Sequence, residues 1–197
     1  MPKRVDHDQR RTELAAALVR CARVRGLHAV GFREVAVEAG VSVNLVQYYF
    51  PTKESLLHGG LLYVRARGAA RLRARIDAES APVARMRAML AELVPYDEAS
   101  TELYTVHAAY AALALTEPDL AAQPHAAGPD ELHPELTGLI AEARRDGLAG
   151  GDRAPEREAT ALLALATGLS AYVVSGYLGP AAATEVLGAA LDRLAAL

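Results

Sequence analysis

Ala39-Gly40-Val41-Ser42-Val43-Asn44-Leu45-Val46-Gln47-Tyr48-Tyr49-Phe50 is the stretch on which the reading of this chain turns. A short helical pattern, Phe32 to Ala39, precedes it, and another opens at Thr52. Glycine takes the left-handed backbone conformation at little steric cost, so Gly40 predicts a helix end. Ser42 predicts the next start, because its hydroxyl can accept a bond from an orphan backbone N–H. Val41, apolar inside a tight turn, is expected to plug the space between the two helices. Val46 and Phe50 are four apart and face inward together. Asn44, Gln47 and Tyr48 then fall on the outer side, flanked by Val43 and Leu45. Asn and Gln offer paired donor and acceptor atoms to base edges, and small apolar groups meet thymine methyls. The pattern is that of a helix-turn-helix whose second helix can enter a major groove. The same motif also occurs as plain packing, so the remaining sequence has to decide.

The charge distribution points the same way. Of 197 residues, 21 are Lys or Arg and 24 are Asp or Glu, for a net charge of −3. Residues 1–75 carry 14 basic and 6 acidic side chains, leaving +8, and residues 76–197 carry 7 and 18, leaving −11. A basic N-terminal third on an acidic body suits a polyanion at one end only. The alternative is a charge split between two solvated surfaces. With one cysteine, Cys21, no intrachain disulfide can form, and its place on an apolar stripe reads as a buried small hydrophobe. No signal peptide or convincing membrane span is visible, since the best apolar run, Ala159 to Leu178, is rich in alanine and holds Gly168 and Gly176. A soluble, cytoplasmic protein without a membrane partner is expected.

Outward from the motif, every segment reads as helix. Residues 1–9, with Lys3, Arg4, Asp6, His7 and Asp8, look like a polar arm that could reach phosphates or a minor groove, a disordered tail being the alternative. A first helix runs from about Asp8 to Arg25 with Leu14, Leu18, Cys21 and Ala22 at helical spacing. Leu27 and Val30 are expected core plugs. Thr52 caps a fourth helix that continues to about Ile76, weakened locally by Gly59-Gly60. Lys53, at its first turn, could hold a phosphate together with the helix N-terminus. Further helices are predicted from Pro82 to Leu93, Glu98 to Thr116, Pro134 to Asp146, Pro155 to Ser175 and Pro180 to the C-terminus, with a loop over 119–130.

Arg33-Glu34-Val35-Ala36, Ala39-Gly40-Val41-Ser42, Tyr48-Tyr49-Phe50 and Lys53-Glu54-Ser55-Leu56-Leu57 together resemble the DNA-binding domain of the TetR family of bacterial transcriptional regulators. The likeness spans residues 10–57 without a gap. It departs at Asn44, where the family often has glycine, and at Gln47, where it often has tyrosine. The resemblance implies that Arg33, Val43, Asn44, Leu45, Gln47 and Tyr48 face bases or the groove. It implies that Ser42, Tyr49 and Lys53 hold backbone phosphates. For Tyr48 and Tyr49 partial packing against the bundle is the alternative. The fold expected is all-α, with a helix-turn-helix domain over 1–57, a connecting helix to about 76, and an effector-binding and dimerisation domain over 78–197. The function expected is repression of a palindromic operator, relieved by a small-molecule effector. Two rivals remain: a ligand sensor or scaffold on the same fold that has lost DNA binding, and, behind it, an enzyme using the C-terminal cavity.

The resemblance also implies an effector pocket. Leu103, Tyr104, His107 and Tyr110 share a broad side of one helix, Met86 and Met89 lie on the preceding helix, and Tyr172 lies on the long one. Such pockets are largely apolar with a few polar groups, though the same residues can be ordinary packing. The last two helices carry Leu162, Leu169 and Val173, then Val186, Leu187, Leu191 and Leu194. A helix apolar nearly all round needs cover on several sides; a second copy of the chain is the cover expected, and an entirely intrachain core is the alternative. No histidine pair, Cys/His ligand set, nucleophile elbow or Gly-rich phosphate loop is present in the sequence, so neither catalysis nor a cofactor is expected.

Overall fold

Helix is the only regular structure that the alanine-rich chain builds among its described residues. The computed structural model describes residues 2–123 and 132–195. Its helices are α1 (Pro2–Arg25), α2 (Phe32–Ala39), α3 (Val43–Tyr49), α4 (Lys53–Ile76), α5 (Pro82–Leu93), α6 (Glu98–Ala114), α7 (Pro118–Ala121), α8 (Leu132–Arg145), α9 (Pro155–Val174) and α10 (Pro180–Ala195). Proline stands at the first helical position of α5, α7 and α9, where its missing N–H would be an orphan anyway and its fixed φ suits the helix. Two expectations are corrected. The polar arm is not separate from the first helix, because α1 begins at Pro2, six residues before Asp8. The loop expected from 119 opens instead with the single turn α7, and 124–130 lie outside the described residues.

Packing divides the chain into two units. One unit is Met1–Arg67 with Thr105–Gly128, and the other is Gly68–Tyr104 with Pro129–Leu197. The chain passes between them along α4 and again along α6.

In the first unit α1 packs on α2, and α2 on α3. Leu14, Leu18, Leu27, Val30, Val35 and Val46 are buried. Phe50, Leu56, Leu57 and Leu61 complete this core from the start of α4. Cys21 is buried too, its Sγ 3.5 Å from the Glu34 carbonyl, and desolvation pushes its thiol pKa up. That suits a space-filling side chain, not a nucleophile. Gly59 and Gly60, which read as a weakness in α4, have a packing reason. A Cβ on Gly60 would stand 2.4 Å from Leu18 Cδ2.

The second unit buries one apolar cluster drawn from the C-terminal half of α4 and from α5, α8, α9 and α10. Met86 and Met89 belong to it, as do Leu162, Leu169, Leu187, Leu191 and Leu194. The five leucines therefore help hold their own subunit together and leave little surface exposed. The stripes read from sequence are apolar as expected, but neighbouring helices of the same chain cover them. Ser170, the buried polar residue of α9, places its hydroxyl 2.7 Å from the Ala166 carbonyl and 3.0 Å from that of Leu93, so its burial leaves no orphan group. Arg144 clamps the α8–α9 connection, donating from Nε to the Gly150 carbonyl at 3.0 Å and from Nη1 to that of Arg153.

Candidate nucleic-acid interface

The turn between α2 and α3 is closed by its own backbone. Gly40 has φ +65° and ψ +35°, its N–H donates to the Val37 carbonyl at 3.2 Å, and the Val41 N–H donates to that of Ala36 at 2.9 Å. These two bonds satisfy carbonyls that the end of α2 would otherwise orphan, and they need a left-handed residue at position 40. Ser42 then caps α3, accepting the Leu45 N–H on its Oγ at 3.2 Å. At the other end of α2 the Glu34 carboxylate reaches back to accept the Gly31 N–H at 3.0 Å. Each helix end near the motif is thus fixed by a side chain or a turn, which makes α3 a rigid platform although it has only seven residues.

With Val46 and Phe50 fully buried, the opposite face of α3 is set. Asn44, Gln47 and Tyr48 are exposed, and Val43, Leu45 and Tyr49 are half-buried. Tyr48 is 68% exposed. Arg33 is exposed in the first turn of α2. Lys53 is exposed as the first residue of α4, where Thr52 Oγ1 accepts the Ser55 N–H and Ser55 Oγ accepts the Thr52 N–H, both at 3.1 Å. Of the residues expected to touch DNA, Ser42 is also exposed, at the start of α3, and Tyr49 stands at its end.

Helix α1 reaches this surface as well, through two residues whose contacts with α3 and Phe50 the sequence did not signal. The His7 ring lies 4.5 Å from that of Tyr49 and 6.0 Å from that of Tyr48, centroid to centroid. The Arg11 guanidinium stands 4.7 Å from the centre of the Phe50 ring, and its Nη1 donates to the Tyr49 carbonyl at 3.4 Å. Only a contact map could have found them, since 38 positions separate Arg11 from Tyr49.

The residues expected to line a pocket differ in burial and fall in both units. Met86 and Met89 are core. Tyr172 is 52% exposed on α9, its ring 5.1 Å from that of Tyr177. On α6, Leu103 is buried and Tyr104 half-buried in the second unit, and His107 and Tyr110 belong to the first. Burial raises the phenol pKa of both Tyr104 and Tyr110. Burial, with Arg65 second, lowers that of His107 and favours its neutral form. The Tyr110 hydroxyl is buried and has no hydrogen-bond partner among the described residues. No cluster of metal-ligating side chains occurs among the described residues.

Comparison with known proteins agrees with this geometry. Residues 14–59 match the family described as bacterial regulatory proteins, tetR family, and residues 82–196 match the one described as BetI-type transcriptional repressor, C-terminal. The HTH-type transcriptional regulator PksA of Bacillus subtilis (strain 168) is 28% identical over 174 residues, 88% of this chain and 83% of that protein. The HTH-type transcriptional regulator BetI of Burkholderia mallei (strain NCTC 10229) is 32% identical over 121 residues, 61% of this chain and 62% of that protein. Among solved structures, a transcriptional regulator from Rhodococcus sp. Rha1 superposes with a TM-score of 0.80 at 28% identity, covering 93% of this chain and 95% of that one.

Proposed function

Since this chain belongs to the TetR family of DNA-binding transcriptional regulators, we propose that it acts as a homodimer on a palindromic operator and that a small effector releases it. The observation that carries the DNA reading is the outward face of α3. Asn44, Gln47 and Tyr48 stand clear of the core there, with Val43 and Leu45 beside them. These would read base edges and thymine methyls with Arg33, while Ser42, Tyr49 and Lys53 hold phosphates. Two such helices, about one duplex turn apart, fit a two-fold operator. The protein would work in the cytoplasm, beside the chromosome. No helix among the described residues is long and apolar enough to cross a membrane.

The dimer reading rests on α9 and α10, though not on the leucines. Residues 159–184 hold no charged side chain. Within this run Ala161, Ala164, Gly168, Ala171 and Tyr172 are exposed, and Val186 on α10 is exposed beside them in sequence. Val173 is half-buried. An uncharged, small-residue helix face of this length is suited to close approach by a second copy. For the effector, α6 offers His107 and Tyr110, one turn apart. An unsatisfied buried hydroxyl is costly, and a ligand that accepts its hydrogen bond removes that cost. Release follows if effector and operator favour different conformations, since ligand affinity must differ between the two states.

The test is selection of bound duplexes from a random pool, followed by titration of the recovered duplex at several salt concentrations. A two-fold symmetric site whose affinity falls steeply with salt is expected, because phosphate contacts release counterions. Absence of any salt-dependent duplex binding would instead assign the chain to the ligand-sensing or scaffold rival.

A further inference from the structure

The family match begins at residue 14, so the first three turns of α1 lie outside it. It is these turns that meet the recognition helix. Tyr48 and Tyr49 close the C-terminal end of α3, their rings edge to face at 5.2 Å and 87°. His7 adds a third ring, tilted at 48° to Tyr49 and near edge-on at 67° to Tyr48. Arg11, one turn further along α1, stands over Phe50 and donates to the Tyr49 carbonyl. A cation at that end of α3 also suits the helix dipole. The three-ring cluster has one member from outside α3, and it is the one member the sequence pattern gives no reason to include.

We propose that His7 is a positioning residue for operator recognition: from α1 it fixes the rings of Tyr48 and Tyr49 in the orientation they take on DNA. Tyr48 is largely exposed, so without a neighbour its ring would sample several rotamers and would have to be ordered on binding. A side chain ordered beforehand avoids that cost, and a brace of this kind changes affinity without touching the duplex. The proposal rests on the DNA reading above for its consequence, but the brace itself belongs to the free protein.

Two variants and two measurements test it. In His7→Ala the aromatic proton signals of Tyr48 and Tyr49 in the DNA-free protein should move, because a ring current is lost. Affinity for the duplex recovered with wild-type protein should fall about 3- to 10-fold, with the salt slope unchanged. His7→Phe keeps a ring without the imidazole nitrogens and should restore affinity to within about twofold of wild type. Unmoved tyrosine signals, or unchanged affinity, would overturn the proposal. So would a salt slope reduced by about one with no rescue by phenylalanine, which would make His7 a phosphate contact. If wild-type protein selects no duplex, the DNA reading fails, and the tyrosine signals still decide whether the brace exists.

Discussion

The Phe50 ring occupies the space beside Gly59 so closely that a Cβ there would lie 2.3 Å from Phe50 Cε1. Phe50 ends the recognition helix and Gly59 sits two turns into α4, so this approach ties α3 to the helix that follows it. Mid-helix glycine ordinarily costs about 0.5–1 kcal/mol relative to alanine. Here the usual sign reverses. Gly59→Ala should destabilise the protein by about 1–3 kcal/mol, since Phe50 is fully buried and has nowhere to move. Gly60→Ala should do the same against Leu18. Gly68→Ala, which meets nothing within 4 Å, should be neutral or stabilising. Urea unfolding of the three variants checks the contrast.

The helix-turn-helix was legible because its signals are local. Gly40, Ser42 and Thr52 act on backbone groups at most four residues away, and Val46 and Phe50 obey a helical period. The start of α1 was not legible in this way, because the charges that make residues 2–9 look like an arm are equally compatible with an exposed helix. Gly59 and Gly60 were misread as weak points because propensity says nothing of what lies opposite. Leu187 and Leu191 show the limit most plainly. Periodicity reports that a stripe is covered, not whether the cover is the same chain or another, and α5 and α9 supply it here.

A polar cluster in the second unit gives a pH-dependent outcome. Arg71 bonds Glu92 from Nε at 2.7 Å and Asp97 from Nη2 at 3.0 Å, and Arg75 bonds the other Glu92 oxygen at 2.6 Å. Asp97 also accepts the Ser100 hydroxyl and N–H, both at 2.6 Å. These bonds from Ser100, with Arg71 adding to them, lower the Asp97 carboxyl from 3.8 to about 2. A carboxyl depressed on folding contributes stability above its unfolded value, and that contribution is lost as pH falls through 3.8 toward about 2. Asp97→Asn should therefore be less stable than wild type near neutrality, and the gap should close over that acid window. Because Asp97 is partly exposed, the gap is expected to be no more than about 1 kcal/mol. Paired urea melts across the range measure it.

Two surface changes should separate base reading from phosphate holding. Gln47→Ala removes a paired donor and acceptor from the exposed face of α3. It should cost about 1–3 kcal/mol on the preferred duplex and much less on duplexes altered at the base pair it reads. Lys53→Ala should weaken binding to all duplexes alike and reduce the salt slope by about one. Binding isotherms on the selected duplex and its single-position variants, at several salt concentrations, give both numbers. If neither change alters binding, α3 is not the reading helix.

Gly168 has no packing reason among the described residues of its own subunit. It is exposed in the middle of α9, nothing lies within 4 Å of where its Cβ would stand, and glycine there costs the helix about 1 kcal/mol against alanine. Gly59 and Gly60 answer to Phe50 and Leu18, whereas Gly168 answers to nothing among the described residues. In the proposed dimer, a partner helix drawn close against Gly168, Ala164 and Ala161 would supply that reason. A bulky charged residue placed there would be harmless to the isolated subunit and intolerable in a dimer. Gly168→Arg should keep its helical content and unfold cooperatively, yet sediment at the mass of one chain where wild type sediments at two. Affinity for a two-fold operator should fall about 100-fold or more, since the second head no longer adds its contacts at high effective concentration. A Gly168→Arg protein that still sediments as a dimer would move the interface away from this face of α9.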